Sequence, residues 1–271
     1  METSRSSPAT LGFATGEFAI AGHTLYWERT GNPAHPAVVL LHHGLGSTRA
    51  WKAQAAEFAA QEWQVLAYDR WGYGRSSARP ALDLPGFGTD VDDLAALLDD
   101  RGIRRAALVG HSDGGTVALH FAARFSDRVS ALVTVAAHIY LEASMLPGTL
   151  ALRQAFGNDP RFRQGMQRAH SDNADAVFRN WYQGWVRPEL LAWDMRPILG
   201  GVRCPVLVIQ GEMDEHATPQ HARDLAKHVA NGELLLVPGA GHMLPQDMPS
   251  DFNRRVLAFL EPARVAGSHG S

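Results

Sequence analysis

Short apolar runs separated by helix-length amphipathic segments dominate this chain. Near-continuous apolar stretches fall at 37–41, 64–68, 106–109, 131–135, 205–209 and 233–237. Runs of that length without polar alternation predict strands covered on both faces, as in a parallel sheet between helical layers. Between them, at 48–60, 89–101, 115–124, 219–230 and 250–260, apolar residues recur with helical spacing. Strand–helix alternation of this kind predicts an α/β fold with a mostly parallel, doubly wound sheet and right-handed crossovers. Ahead of it, segments 17–20 and 24–27 flank Ala21-Gly22-His23 and predict an antiparallel hairpin.

One interval breaks the rhythm. From 139 to 200 no strand pattern appears, but Phe178, Trp181, Tyr182 and Trp185 fall at i, i+3, i+4 and i+7, one face of a helix. An insertion of that size is too long for a plain loop and predicts a small helical cap. Its aromatic face either packs on the main body or roofs a substrate pocket, which makes Trp181, Tyr182 and Trp185 candidate substrate-binding residues. The expected organisation is a flexible tail at 1–16, a core at 17–138 and 201–261, the cap at 139–200, and a second tail at 262–271.

Composition narrows the function. The 271 residues are 45% hydrophobic and 20% charged, with a net charge of −3, so no global field recruits nucleic acid or an anionic membrane. No stretch reaches 18 consecutive apolar residues, and 1–16 carries no apolar signal-peptide core, so a cytoplasmic protein with no membrane partner is expected. The single cysteine, Cys204, excludes an internal disulfide and reads as a buried thiol. None of the 13 histidines makes a metal-type spacing, and no metal or cofactor is expected. The sequence leaves the oligomeric state open and implies a small-molecule substrate as the partner.

Gly110-His111-Ser112-Asp113-Gly114 follows an apolar run and precedes a helix, the strand–turn–helix setting of a nucleophile elbow. It exposes Ser112 at a helix N-terminus, where the dipole favours developing negative charge. A serine needs a base, and His242, in Gly239-Ala240-Gly241-His242 after the last strand pattern, would stand at the same sheet edge. The base in turn needs an acid to fix its tautomer. Asp214, just past 205–209, fits best; Glu212, Glu215 and the remoter Glu142 compete. The glycine-rich turn His42-His43-Gly44-Leu45-Gly46 suits oxyanion donors, assigned to the backbone N–H groups of Leu45 and Asp113. His42 and His43 are expected to shape that loop. The Asp113 carboxylate either complements the helix dipole or meets a cation on the substrate.

Taken in order, His43-Gly44, Asp69-Arg70-Trp71-Gly72-Tyr73-Gly74-Arg75-Ser76, the Ser112 elbow, Gly211-x-x-Asp214 and Gly241-His242 resemble the α/β-hydrolase superfamily across about residues 17–261. Gly72-Tyr73-Gly74 is then a loop of this fold; a dinucleotide fingerprint would have glycine where Ser77 stands. Ser112-Asp113-Gly114-Gly115 is similar to the elbow of valacyclovir hydrolase-like (biphenyl hydrolase-like) α-amino-ester hydrolases, and the resemblance implies an Asp113 that reads a substrate α-ammonium group. Dehalogenases and epoxide hydrolases carry aspartate at the elbow, so the serine implies neither activity. The expected reaction is hydrolysis of a small carboxylic ester or related acyl substrate through an acyl-enzyme. Hydrolysis of a C–C bond in diketone-like substrates, a lyase reaction and a low-turnover ligand receptor are the alternatives.

Overall fold

The computed structural model describes residues 13–268. β1 (Ala14–Ile20) and β2 (His23–Thr30) pair antiparallel, from Ala14 opposite Arg29 to Ile20 opposite His23. Ala21 and Gly22 both have positive φ, 47° and 85°, which matches the two-residue turn that joins twisted strands best. The hairpin starts at Ala14, inside the segment expected as a tail; residues 1–12 of that tail lie outside the described residues.

β2 joins antiparallel to β4 (Gln64–Asp69), and parallel pairing takes over from there through β3 (Ala37–Leu41), β5 (Ala106–His111), β6 (Val129–Val135), β7 (Val206–Gly211) and β8 (Gly232–Val237). The sheet runs β1-β2-β4-β3-β5-β6-β7-β8. Every residue of β3, β4, β5 and β7 is buried, as strands covered on both faces must be. β8 departs from that expectation. It is an edge strand whose first three residues are exposed, since no strand among the described residues pairs with its outer flank.

Two layers of helix make the core double. Under one face, α2 (Gly88–Asp100), α3 (Asp113–Arg124) and α7 (Gln220–His228) bring Leu94, Leu97, Phe121 and Leu225 against the sheet. Under the other, α1 (Lys52–Ala60) and α9 (Pro249–Ser268), which follows the one-turn α8 (Leu244–Asp247), contribute Phe58, Phe252, Val256 and Leu260. α9 runs past Pro262 to Ser268, so the expected tail at 262 is helix over most of its length. Its last turns have work the composition hides: Arg264 ties α9 to Glu62 at 3.0 Å, and Ala263 packs on the core.

Between β6 and β7 lie α4 (Leu146–Asn158), α5 (Pro160–His170) and α6 (Ala174–Trp185), followed by two short 3-10 turns. Asp159 accepts the Arg161 N–H and Pro160 takes the first helical position, which fixes where α5 begins. These helices share a small core of their own. Phe156 of α4 stacks on Phe178 of α6 at 4.1 Å between ring centres, and Phe162 of α5 meets both edge-on at 6.4 Å. Phe178→Ala empties the centre of that triad and is expected to lower stability by about 3–5 kcal/mol, read as an earlier urea midpoint.

Candidate active site

The chain leaves β5 at His111 and enters α3 at Asp113, so Ser112 alone makes the turn, with φ 54° and ψ −122°. That region is unfavourable for a residue with a Cβ, by about 1–3 kcal/mol. Two contacts hold it. The Ser112 N–H donates to the Val135 carbonyl at 2.7 Å, and its own carbonyl accepts from Gly115 and Thr116. The backbone is also pressed close: a Cβ on Gly110 would stand 2.4 Å from the Gly114 carbonyl oxygen, and one on Gly114 would stand 2.2 Å from that of Leu41. Only glycine lets β3, β5 and α3 meet at this distance.

His242 sits on the loop after β8, with both Asp214 carboxylate oxygens 3.0 Å from its Nδ1. Asp214 also accepts the His216 N–H at 2.8 Å and a Gln210 side-chain N–H at 2.6 Å. Burial alone would raise its pKa, but the His242 bond and charge and the His216 amide outweigh that and hold it below the ordinary carboxylate range. With Nδ1 donating to the acid, Nε2 is the imidazole's free acceptor. The competing acids are engaged elsewhere. Glu215 accepts the backbone N–H of His242 at 3.2 Å, and Glu142 lies 3.4 Å from His221 Nε2 and accepts from Thr218. Glu212 is exposed.

Ser112 and His242 open onto one cavity of about 460 Å³. Apolar side chains from the inserted helices, including Met145, Leu152, Phe162 and Met166, form much of its wall. Trp181 and Trp185 line it. Tyr182 does not: it stacks on Phe178 and takes a hydrogen bond from Arg153 at 3.2 Å, turned away from Ser112. The helical stripe is wide enough that its flank faces a different neighbour.

His43, Gly44 and Leu45 reach the cavity from the β3 side. His42 shapes this loop, donating from Nδ1 to the His43 carbonyl at 2.8 Å and accepting the Arg70 N–H on Nε2 at 3.0 Å. The Leu45 N–H points at His43 Nδ1 over 3.4 Å, a long bond that leaves the hydrogen available to a stronger acceptor. His111 has a role the sequence did not announce. Its Nε2 donates to the His242 carbonyl at 2.9 Å and ties the elbow to the loop that carries the histidine.

Asp113 corrects the sequence-based expectation of a substrate cation. Its side chain is 1% exposed and is absent from the cavity wall. Its Oδ2 faces Arg70 Nη2 at 3.8 Å, and that guanidinium is itself buried between Asp113 and Asp90. The Trp181 indole nitrogen and Asp113 Oδ2 both crowd Gly44, where a Cβ would stand 2.2 Å and 2.6 Å from them. The cation this carboxylate meets is therefore internal. A substrate ammonium would find like charge there. His138 and His216, which the sequence did not single out, also line the cavity.

The family profile described as alpha/beta hydrolase fold matches residues 36–194. The chain belongs to the alpha/beta hydrolase fold family. It is 29% identical to the human serine hydrolase BPHL over 268 residues, covering 95% of this chain and 91% of that protein. It is 34% identical over 301 aligned residues to epoxide hydrolase A of Mycobacterium tuberculosis, covering 85% of this chain and 92% of the relative. Among solved structures, the enol-lactonase of Burkholderia xenovorans LB400 superposes with a TM-score of 0.74 at 23% identity, over 91% of this chain and all of that one. No helix among the described residues of this alpha/beta hydrolase is long and apolar enough to cross a membrane.

Asp113 also makes a pH prediction. Burial pushes its pKa up to about 6, although Arg70, the Trp185 indole and His242 pull it down. Between the ordinary carboxylate pKa near 4 and this value, the folded state binds more protons than the unfolded chain. The contribution to stability is therefore full below pH ~4 and declines as pH rises through about 6. Asp113→Asn removes that titration. Denaturant melts from pH 4 to 7 should show the variant gaining on wild type as pH rises; a constant difference would place the Asp113 pKa in its ordinary range.

Proposed function

We propose that this protein hydrolyses small carboxylic esters or related acyl substrates through a covalent acyl-enzyme. One observation carries the reading: Ser112 and His242 share a single cavity, and His242 Nδ1 lies 3.0 Å from both oxygens of Asp214, whose side chain is shielded from solvent. In this reading His242 Nε2 takes the Ser112 proton as Oγ attacks the carbonyl carbon, then gives it to the leaving alcohol. The same nitrogen next takes a proton from the water that attacks the acyl carbonyl, and returns it to Ser112 Oγ as the ester C–O bond breaks and the acid leaves. The Asp214 carboxylate stabilises the imidazolium formed on the way. Backbone N–H groups of Asp113, first in α3, and of Leu45 receive the oxyanion; the long Leu45–His43 contact would be exchanged for a shorter bond to it.

The helices between β6 and β7 act in this proposal as the cap, with Trp181 and Trp185 as substrate contacts. The human relative is named a serine hydrolase and the mycobacterial one an epoxide hydrolase. Ser112 favours the first class. A serine alkoxide attacking a carbonyl leaves an ester that water cleaves by the same chemistry, whereas opening an epoxide would leave an ether that this machinery does not hydrolyse. A preference for α-amino esters is not part of the proposal, since Asp113 turns inward onto Arg70.

The test is hydrolysis of short p-nitrophenyl esters. Ser112→Ala and His242→Ala should each reduce kcat by several orders of magnitude at unchanged thermal stability, and the double variant should lose little more. Asp214→Asn should lose about 10⁴-fold by presenting the wrong imidazole tautomer. A tenth of wild-type activity surviving in Ser112→Ala would end the acyl-enzyme reading.

A further inference from the structure

His138 follows β6 and enters the wall of the cavity that holds Ser112 and His242. It is 7% exposed, and neither ring nitrogen has a hydrogen-bond partner among the described residues. Its neighbours do not supply one. Trp185 meets it edge-on at 5.6 Å between ring centres, His221 stands at 5.9 Å and His242 at 6.1 Å. Its backbone is fixed, since Thr116 Oγ1 donates to the His138 carbonyl at 2.7 Å. The ring is therefore held in place but its polar atoms are left unmatched.

A buried donor and acceptor without partners destabilise a protein, and an apolar ring of similar size would fit this site without that cost. Two other buried histidines around the catalytic one each bond a protein group through one ring nitrogen. His111 bonds the His242 carbonyl, His221 Nδ1 accepts the Ile139 N–H at 3.3 Å, and Glu142 stands at 3.4 Å from its Nε2. Among the buried histidines of this cluster, His138 is the one with no hydrogen-bond partner at either nitrogen among the described residues. Burial, with His221 and His242 nearby, keeps its pKa well below the ordinary value, so at neutral pH it offers one N–H donor and one lone pair.

We propose that His138 is a specificity-determining residue that hydrogen-bonds an uncharged oxygen on the acyl group, a hydroxyl or a keto oxygen beside the scissile carbonyl. The position follows from the shared cavity: His138 lines it with Ser112 and His242, its ring centre 6.1 Å from that of His242, so a group it bonds lies near a carbonyl placed between those two. The chemical class follows from the ring's neutrality and from the apolar wall around it, which disfavours a charged substituent there. The proposal deepens the acyl-hydrolase reading and rests on it.

Ethyl propanoate, ethyl lactate and ethyl pyruvate separate the two. They share one acyl length and differ at the neighbouring carbon in carrying hydrogen, hydroxyl or oxo oxygen. In wild type, kcat/KM measured by pH-stat should favour lactate or pyruvate over propanoate by more than their intrinsic reactivities do. His138→Phe should reduce that preference about five- to tenfold, leave propanoate within about twofold, and melt no earlier than wild type. His138→Gln, which keeps a donor and an acceptor, should restore part of the preference. Equal losses on all three esters, or an unchanged ratio in His138→Phe, would overturn the proposal while leaving the acyl-hydrolase reading intact. Failure of every ester in wild type would overturn the reading on which it rests.

Discussion

The conformation of Ser112 is the constraint on which the rest of this structure depends. A residue with φ 54° and ψ −122° does not persist on its own preference. It persists because β3, β5, β6 and α3 close around it, with Gly110 and Gly114 at backbone contact and the Ser112 N–H bound to β6. The strain is small beside the burial of four fully covered strands, so the sheet can hold it. The result is a hydroxyl presented at the head of a helix, at the carboxyl ends of the strands. Asp214 after β7 and His242 after β8 then reach the same place because parallel strands end on the same side.

The ground beneath the elbow is unusually polar. Asp90 receives Arg79 at 2.7 Å and Arg70 at 3.2 Å, and Arg70 continues toward Asp113, with its guanidinium 4.6 Å from the centre of the Tyr73 ring. All of these charged groups are nearly or wholly buried. Taking them out of water opposes folding by several kcal/mol per ion, and pairing only offsets it. A hydrophobic filling of equal volume would be more stable. What the network does supply is positive charge under Asp113, next to the position where an oxyanion would form. Arg70 thus offsets the charge of an anion beside Ser112 without any help from substrate.

The sequence spelled out the strands almost residue by residue, because complete burial on both faces leaves a near-continuous apolar run. It also pointed to Ser112, Asp214 and His242 from residue types after particular strands, and the structure brings Ser112 and His242 to one cavity with Asp214 on His242 Nδ1. It was less legible where an element lies at an edge or a face is shared. The apolar run of β8 looks like a central strand, and nothing local says that its outer flank is bare. Tyr182 sits one position from Trp181 yet faces Phe178 and Arg153, since a helix turns 100° per residue. Asp113 was misread because its cation, Arg70, is 43 positions away along the chain, beyond any local pattern.

His138 and the Asp113 network pose the same physical question and answer it differently. Both bury polar atoms where apolar ones would be more stable. Asp113 finds its countercharge within the protein, so the polar group is explained by what the fold itself places there. His138 has the rings of Trp185, His221 and His242 beside it, and its two nitrogens have no hydrogen-bond partner among the described residues. An enzyme sits near a stability threshold and retains destabilising groups chiefly where function uses them. A histidine in that position, beside a strained serine and a paired imidazole, is better understood as half of a contact than as part of the core. The missing half is then something that enters the cavity with the substrate.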